Sequence, residues 1–165
     1  MCPLNINKAG AKALMKNFSL LLLLVLLTKG YSQKSEVEID REVVAIQKSL
    51  STYERVEQVR TATAFREVYF RDKDVCFVRV RSMEEQTDKE VSWYFLGGQL
   101  VYCETNWVDF RGISTFSENH YLFDNQLISW TENNQKIKSD SDKFKARAGL
   151  MTAVGEELLS KVQTR

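Results

Sequence analysis

The sequence predicts a two-layer α+β domain: an antiparallel meander sheet of six or seven strands, flanked by an N-terminal and a C-terminal helix packed on one face. Three observations carry this. Residues 94–101 (YFLGGQLV) recur 27 positions later as residues 121–128 (YLFDNQLI), two aromatic-rich runs each folded about a pair of residues that tolerates positive φ. Gly97-Gly98 and Asp124-Asn125 suit the tight primed turns whose twist matches that of the flanking strands, so the segment reads as two successive β-hairpins. On either side of the strand region, apolar residues instead repeat at three- and four-residue steps, the period of a helix with one buried stripe. Helices grouped before and after a run of hairpins form one layer on a sheet.

The first helix is expected over about residues 36–59. Ile39, Val43, Ile46, Leu50 and Tyr53 form its stripe, Ser35 is placed to cap it, and Glu36 and Glu38 suit the positive end of its dipole. From Ala64 the period becomes two. Residues 65–71 and 75–81 are strand-like and joined by Asp72-Lys73-Asp74, residues 82–89 read as a polar loop, and the doubled hairpin follows. Between its copies, Trp107, Val108, Phe110 and Ile113 around Gly112 suggest one further irregular strand. Asn133-Asn134 ends the sheet. Ser139 to Asp142 supply helix-start residues, and Phe144, Ala148, Met151, Val154 or Gly155, and Leu158 mark the inner stripe of a last helix reaching about Val162. Gly149 and Gly155 each weaken a helix by nearly 1 kcal/mol relative to Ala, so close packing on the sheet is their expected role.

The chain has 165 residues, 44% hydrophobic, which suits a single domain with a sizeable core. Residues 1–32 read as an export signal and 33–165 as the domain: Lys16 precedes the apolar run Leu20 to Leu27, too short to span a bilayer, and Gly30 and Ser32 stand at −3 and −1 of a cleavage before Gln33. Met15 would itself make an ordinary start. The competing reading is an uncleaved anchor; no Cys follows the run to make a lipoprotein. The expected address is therefore periplasmic or secreted, with no stable membrane anchor after cleavage. Removing residues 1–32 takes away four lysines and no acid, so the formal net charge falls from +1 to −3. Near-neutral, mixed charge gives no footprint for nucleic acid. Cys76 and Cys103 remain. In an oxidising compartment a pair invites a disulfide, but in a meander a strand separates them by about 10 Å. Buried free thiols are the favoured reading.

Candidate chemistry is sparse. His120 is the one histidine, and simple turn register sets Ser129 opposite it, which gives a hydrolase reading with a nearby carboxylate; no nucleophile elbow surrounds Ser129. Glu104, Asp109 and Glu118 are the acids available for glycoside cleavage. One His and two separated Cys offer no metal set, Asp140-Ser141-Asp142 lacks the Gly and final Glu of an EF-hand, and Gly97-Gly98 has no Lys-Ser/Thr after it to make a phosphate loop. No metal and no cofactor is expected. The aromatics are the better lead: the same register pairs Phe95 with Leu100 and Trp93 with Tyr102 on one face, while Tyr94, Val101, Tyr121, Phe123 and Ile128 share the other. Trp93, Phe95, Leu100 and Tyr102 are thus the expected contact surface of a non-catalytic binding protein, whose partner is an envelope protein, a peptide or an apolar small molecule. A third reading is a sheet edge that extends a partner's sheet.

Residues 93–101 (WYFLGGQLV) and 118–130 (ENHYLFDNQLISW), with Asn133-Asn134-Gln135-Lys136 after them, resemble small exported bacterial proteins of unknown function that carry a YYFxxGKL hairpin followed by ERYYFxxGKLIRW. The resemblance spans about residues 91–137 and implies paired hairpins and export, with no known activity. Asn119-His120 stands where that pattern has Glu-Arg, and Ser129 where it has Arg, so no charge-based role carries over to those positions.

Overall fold

The computed structural model describes residues 34–84, 86–109, 111 and 115–163. The leader and its cleavage position, and Phe110, Gly112 and Ile113, lie outside them. Helix α1 (Glu36–Ser49) and a single 3₁₀ turn (Leu50–Thr52) precede eight strands: β1 (Glu54–Arg60), β2 (Ala64–Arg71), β3 (Asp74–Glu84), β4 (Thr87–Leu96), β5 (Gln99–Asp109), β6 (Thr115–Phe123), β7 (Gln126–Glu132) and β8 (Gln135–Lys136). Helix α2 (Asp142–Gln163) follows. The strands form one antiparallel meander in chain order. The fold is α+β as expected, with eight strands rather than six or seven.

Both added strands have local explanations. Residues 54–60 (ERVEQVR) carry good helix formers with Val56 and Val59 three apart, and so read as the end of α1. They pair instead with β2, from Glu54↔Phe70 to Arg60↔Phe65, since ladder formation overrides a weak helical preference. β8 exists because Asn133 and Asn134 both adopt positive φ, 48° and 63°, and fold the chain back in a two-residue turn.

The doubled hairpin is in fact tripled. Residues 69–78 (YFRDKDVCFV) form the same unit 25 positions before Tyr94, about a turn in which Asp72 takes positive φ. In all three units the register slips by one just after the turn, between Tyr69 and Phe70, Tyr94 and Phe95, and Tyr121 and Leu122. The extra residue on the return strand (Cys76, Val101, Ile128) makes each a β-bulge, which turns the rest of that strand over. Trp93 therefore faces Cys103, and Tyr94 faces Tyr102. The expected pairing of Trp93 with Tyr102 is corrected by this single residue.

The helices lie on opposite faces, not on one. The α1 stripe of Ile39, Val43 and Ile46 packs with Cys76, Phe77, Tyr94, Val101 and Tyr102 on face 1. On face 2, Phe144, Met151 and Leu158 of α2 pack with Phe95, Leu100, Leu122, Leu127 and Trp130. The reason is in the strands: beside the turns both faces are apolar, and burial of both needs a helix on each. Face 1 carries a ladder of rings across five strands, Tyr69, Phe77, Tyr94, Tyr102 and Tyr121, with neighbouring centroids 4.8–5.5 Å apart. Gln47 Nε2 donates to Tyr94 Oη at 2.8 Å, and Tyr121 Oη donates to Asp40 at 2.9 Å, so ladder and helix are joined by hydrogen bonds as well as packing. The capping box of α1 is present, Ser35 and Glu38 each bonding to the other's backbone or side chain. On face 2, Gly155 lets α2 approach closely, since a Cβ there would stand 3.2 Å from Leu100 Cβ. Gly149 faces open space, so close packing explains only one of the two glycines.

Candidate functional site

Cys76 and Cys103 are buried free thiols on opposite faces, with β4 between their strands. Burial pushes their thiols up to about 11 and about 12, so neither is a ready nucleophile.

His120 does not face Ser129. The bulge at Ile128 pairs His120 with Trp130 and Tyr121 with Ser129, so the histidine and the serine are on different faces. What His120 does face on β5 is Cys103. The imidazole is 1% exposed and stacks on Trp130, with centroids 5.5 Å apart and planes 18° apart. Neither ring nitrogen has a hydrogen bond of good geometry, and the Trp130 indole nitrogen is likewise without a partner. Burial, followed by the neighbouring Arg147 guanidinium, lowers the His120 pKa to about 4, against a weaker opposing pull from the Cys103 backbone. The Cys103–His120 pair is thus neutral on both sides, the opposite of the thiolate–imidazolium a cysteine hydrolase uses.

Two residues along the same face, Glu118 is 5% exposed, accepts from Arg147 Nη2 at 2.7 Å and lies near Lys89. Burial raises its pKa despite those cations. Arg147 and Lys143 of α2 each stand 4.9 Å from the Trp130 ring, and Lys143 also pairs with Glu132. This cluster fastens the start of α2 to β6 and β7 through charge-assisted bonds and cation–π contact. The glycosidase candidates do not converge: Glu104 shares face 1 with Tyr102 and accepts from Asn106, Glu118 is on face 2, and Asp109 is held by Arg111. Among the described residues no group of three His, Cys, Asp or Glu side chains converges as a metal site, and Ser141 bonds the Phe144 amide as a helix cap.

The expected contact surface is divided by the bulge. Phe95 and Leu100, 1% and 2% exposed, lie in the core with α2. Tyr102 is buried on face 1 under α1 and donates to Asn119 at 2.9 Å. Trp93 alone is part-exposed, on face 2 at the margin of the α2 core. Beyond it face 2 opens. The row Val68–Val78–Trp93–Cys103–His120–Trp130 is buried except at Trp93. The next row, Arg66–Val80–Val91–Thr105, is half-buried throughout, and the row after it brings Lys89, Trp107 and Phe116. Trp107 and Phe116 stack at 5.3 Å, part-exposed. Thr105, Trp107 and Phe116 were missed as site residues because membership of these two rows depends on register across several strands.

The corresponding half of face 1 is ionic. Glu67 is paired with Arg55 and lies 3.9 Å from Arg79, Arg79 lies 3.7 Å from Glu90, and Arg81 forms a bidentate pair with Asp88. A groove of about 670 Å³ at the β7–β8 edge, lined by Ile128, Ser129, Lys136, Lys138 and Phe144 among others, contains none of the open-face residues. Neither sheet edge invites strand addition: β1 is charged and bulged between Glu57 and Val59, and β8 has two residues, one of them Lys136.

No family model, no curated protein and no solved structure matches this chain.

Proposed function

We propose that this protein is an exported, non-catalytic binding module whose contact surface is the open half of face 2, centred on Trp93 and Trp107. The observation that carries it is the exposure gradient along one face: apolar and aromatic side chains continue past the margin of α2 and lose their cover. Part-exposed aromatics grouped on a sheet face suit contact with a partner, because Trp and Phe give large contact area with few rotatable bonds. The hydrolase reading has little support from the geometry, since His120 is buried, neutral and without a hydroxyl or a free carboxylate beside it. Export rests on the leader-like residues 1–32 and on the likeness of the hairpins to small exported proteins.

The test is affinity capture from the source's own envelope extract with the wild-type chain and with Trp107→Ala. The expected result is that the variant stays folded and loses a species the wild type retains, whereas His120→Gln keeps it. Retention of every captured species by Trp107→Ala would remove the surface from consideration.

A further inference from the structure

We infer that the occupant of the open face is an amphipathic helix with acidic flanks, contributed by a partner protein and laid across the strands beside α2. This rests on the reading of that face as the contact surface. Residues on one face of a strand recur about every 7 Å along it, at roughly 3.4 Å per residue. α2 approaches the sheet at Leu100, opposite Phe95. Packed helices lie 8–10 Å apart, so a neighbour of α2 would sit between the Trp93 row and the Val91 row, where the apolar side chains lose their cover. The strip crosses β2 to β6, about 19 Å at four strand spacings, which is the length of roughly 13 helical residues. The protein already covers its sheet in this way twice, with α1 and with α2.

Arg66 and Lys89 flank the strip on β2 and β4, and neither has an ion pair among the described residues. The Arg66 Nε is buried without a hydrogen bond, and Glu157 of α2, a carboxylate that feels the Arg66 charge, is bonded to Lys161. The acid within the strip, Glu118, is occupied by Arg147. Glu84 lies on a further row, past Ser82 and Lys89. An incoming stripe of Leu, Ile or Phe flanked by Glu or Asp would cover the aromatics and give each of the two cations a carboxylate at ion-pair distance. A basic-flanked helix would leave both cations opposed by like charge.

The probes are two synthetic 18-residue amphipathic peptides with the same apolar stripe, one with Glu flanks and one with Lys flanks, each titrated into the purified chain by fluorescence anisotropy. The Glu peptide is expected to bind at least tenfold more tightly at low salt, with the difference shrinking as salt screens the flanks. Arg66→Glu combined with Lys89→Glu should reverse the preference, and Trp107→Ala should weaken both peptides. Equal binding, or tighter binding of the Lys peptide, overturns the inference. So does self-association of the chain abolished by Trp107→Ala, which would make a second copy the occupant. If neither peptide binds while Trp107→Ala still loses a captured species, the acidic helix is wrong and the contact surface stands. If Trp107→Ala changes neither capture nor peptide binding, the surface itself is wrong.

Discussion

The two halves of the same strands are built to different rules. Beside the tight turns, β3, β4 and β5 are apolar on both faces and clamped between α1 and α2. Beyond Trp93 the same strands run past the apolar stripes of both helices: face 1 becomes a lattice of ion pairs, while face 2 carries Val80, Val91 and Trp107 among Ser82, Lys89 and Thr105. Strand pairing continues through both halves, so hydrogen bonding does not separate them. What separates them is which side chains have cover: Val91 still packs at the margin of the α2 core, whereas Trp107 and Phe116 stack on each other part-exposed.

Truncating one ring in each half should separate the two by the largest margin. Phe77 is fully buried in the ring ladder, between Tyr69 and Tyr94 and under the α1 stripe. Phe77→Ala should cost about 3–5 kcal/mol in a denaturant titration, through lost burial and an unfilled cavity. The loss for Trp107→Ala should be well below that, because Trp107 is part-exposed and stacks on Phe116, which is part-exposed too. Equal losses would mean that the open half is core, and the division would be wrong.

The turns were legible in the sequence because a two-residue turn is specified by the residues in it, as at Gly97-Gly98 and Asp124-Asn125. The strands on either side of Asp72-Lys73-Asp74 were legible too, but their likeness to the other two hairpins was not, because Asp72-Lys73 has neither Gly nor Asn. The bulges were illegible for a deeper reason. One extra residue such as Val101 has no composition of its own, yet it moved Tyr102 to the other face from Trp93 and gave His120 a tryptophan rather than a serine as its partner. The candidate site suffered more than the fold, since fold class survives a one-residue slip and a constellation of side chains does not. Where the helices land is a tertiary matter too, and that alone decides why Phe95 is core while Trp93, on the same face, is part-exposed.

A second test addresses how the clamp is fastened on face 2. His120 is buried and neutral there, its pKa lowered from 6.5 to about 4 chiefly by burial. The unfolded chain takes up the proton near pH 6.5 and the folded chain only near pH 4, so protons favour unfolding across that window. Stability should therefore fall as the pH drops from 6.5 to 4, by roughly 3 kcal/mol in all. Glu118, whose pKa is raised, contributes with the opposite sign and gains protonated stability in the folded state as pH falls. The His120 contribution is isolated by subtraction: the stability difference between wild type and His120→Gln should change between pH 6.5 and 4 by about that amount. A difference that stays flat with pH would mean that His120 is not held neutral by the clamp.

The smallest expected effects come from the two glycines of α2, which compare the outer side of a clamp helix with its contact side. Gly149 is exposed, and a methyl group there meets nothing within 4 Å. Gly149→Ala should stabilise the protein by about 0.5–1 kcal/mol, because the helix gains a better former and the unfolded chain loses freedom. Gly155 has the same intrinsic preference to gain, but its new Cβ would stand 3.2 Å from Leu100 Cβ and 3.3 Å from Leu100 Cδ2. Leu100 is 2% exposed and held among core neighbours, so it has little room to retreat. The gain at Gly155 should be cancelled or reversed, leaving the two variants about 1 kcal/mol apart in thermal or denaturant unfolding. Equal stabilisation by both would show that α2 sits less tightly on β5 than this contact requires, and the contrast between a gripped half and an open half would weaken at the point where the grip is closest.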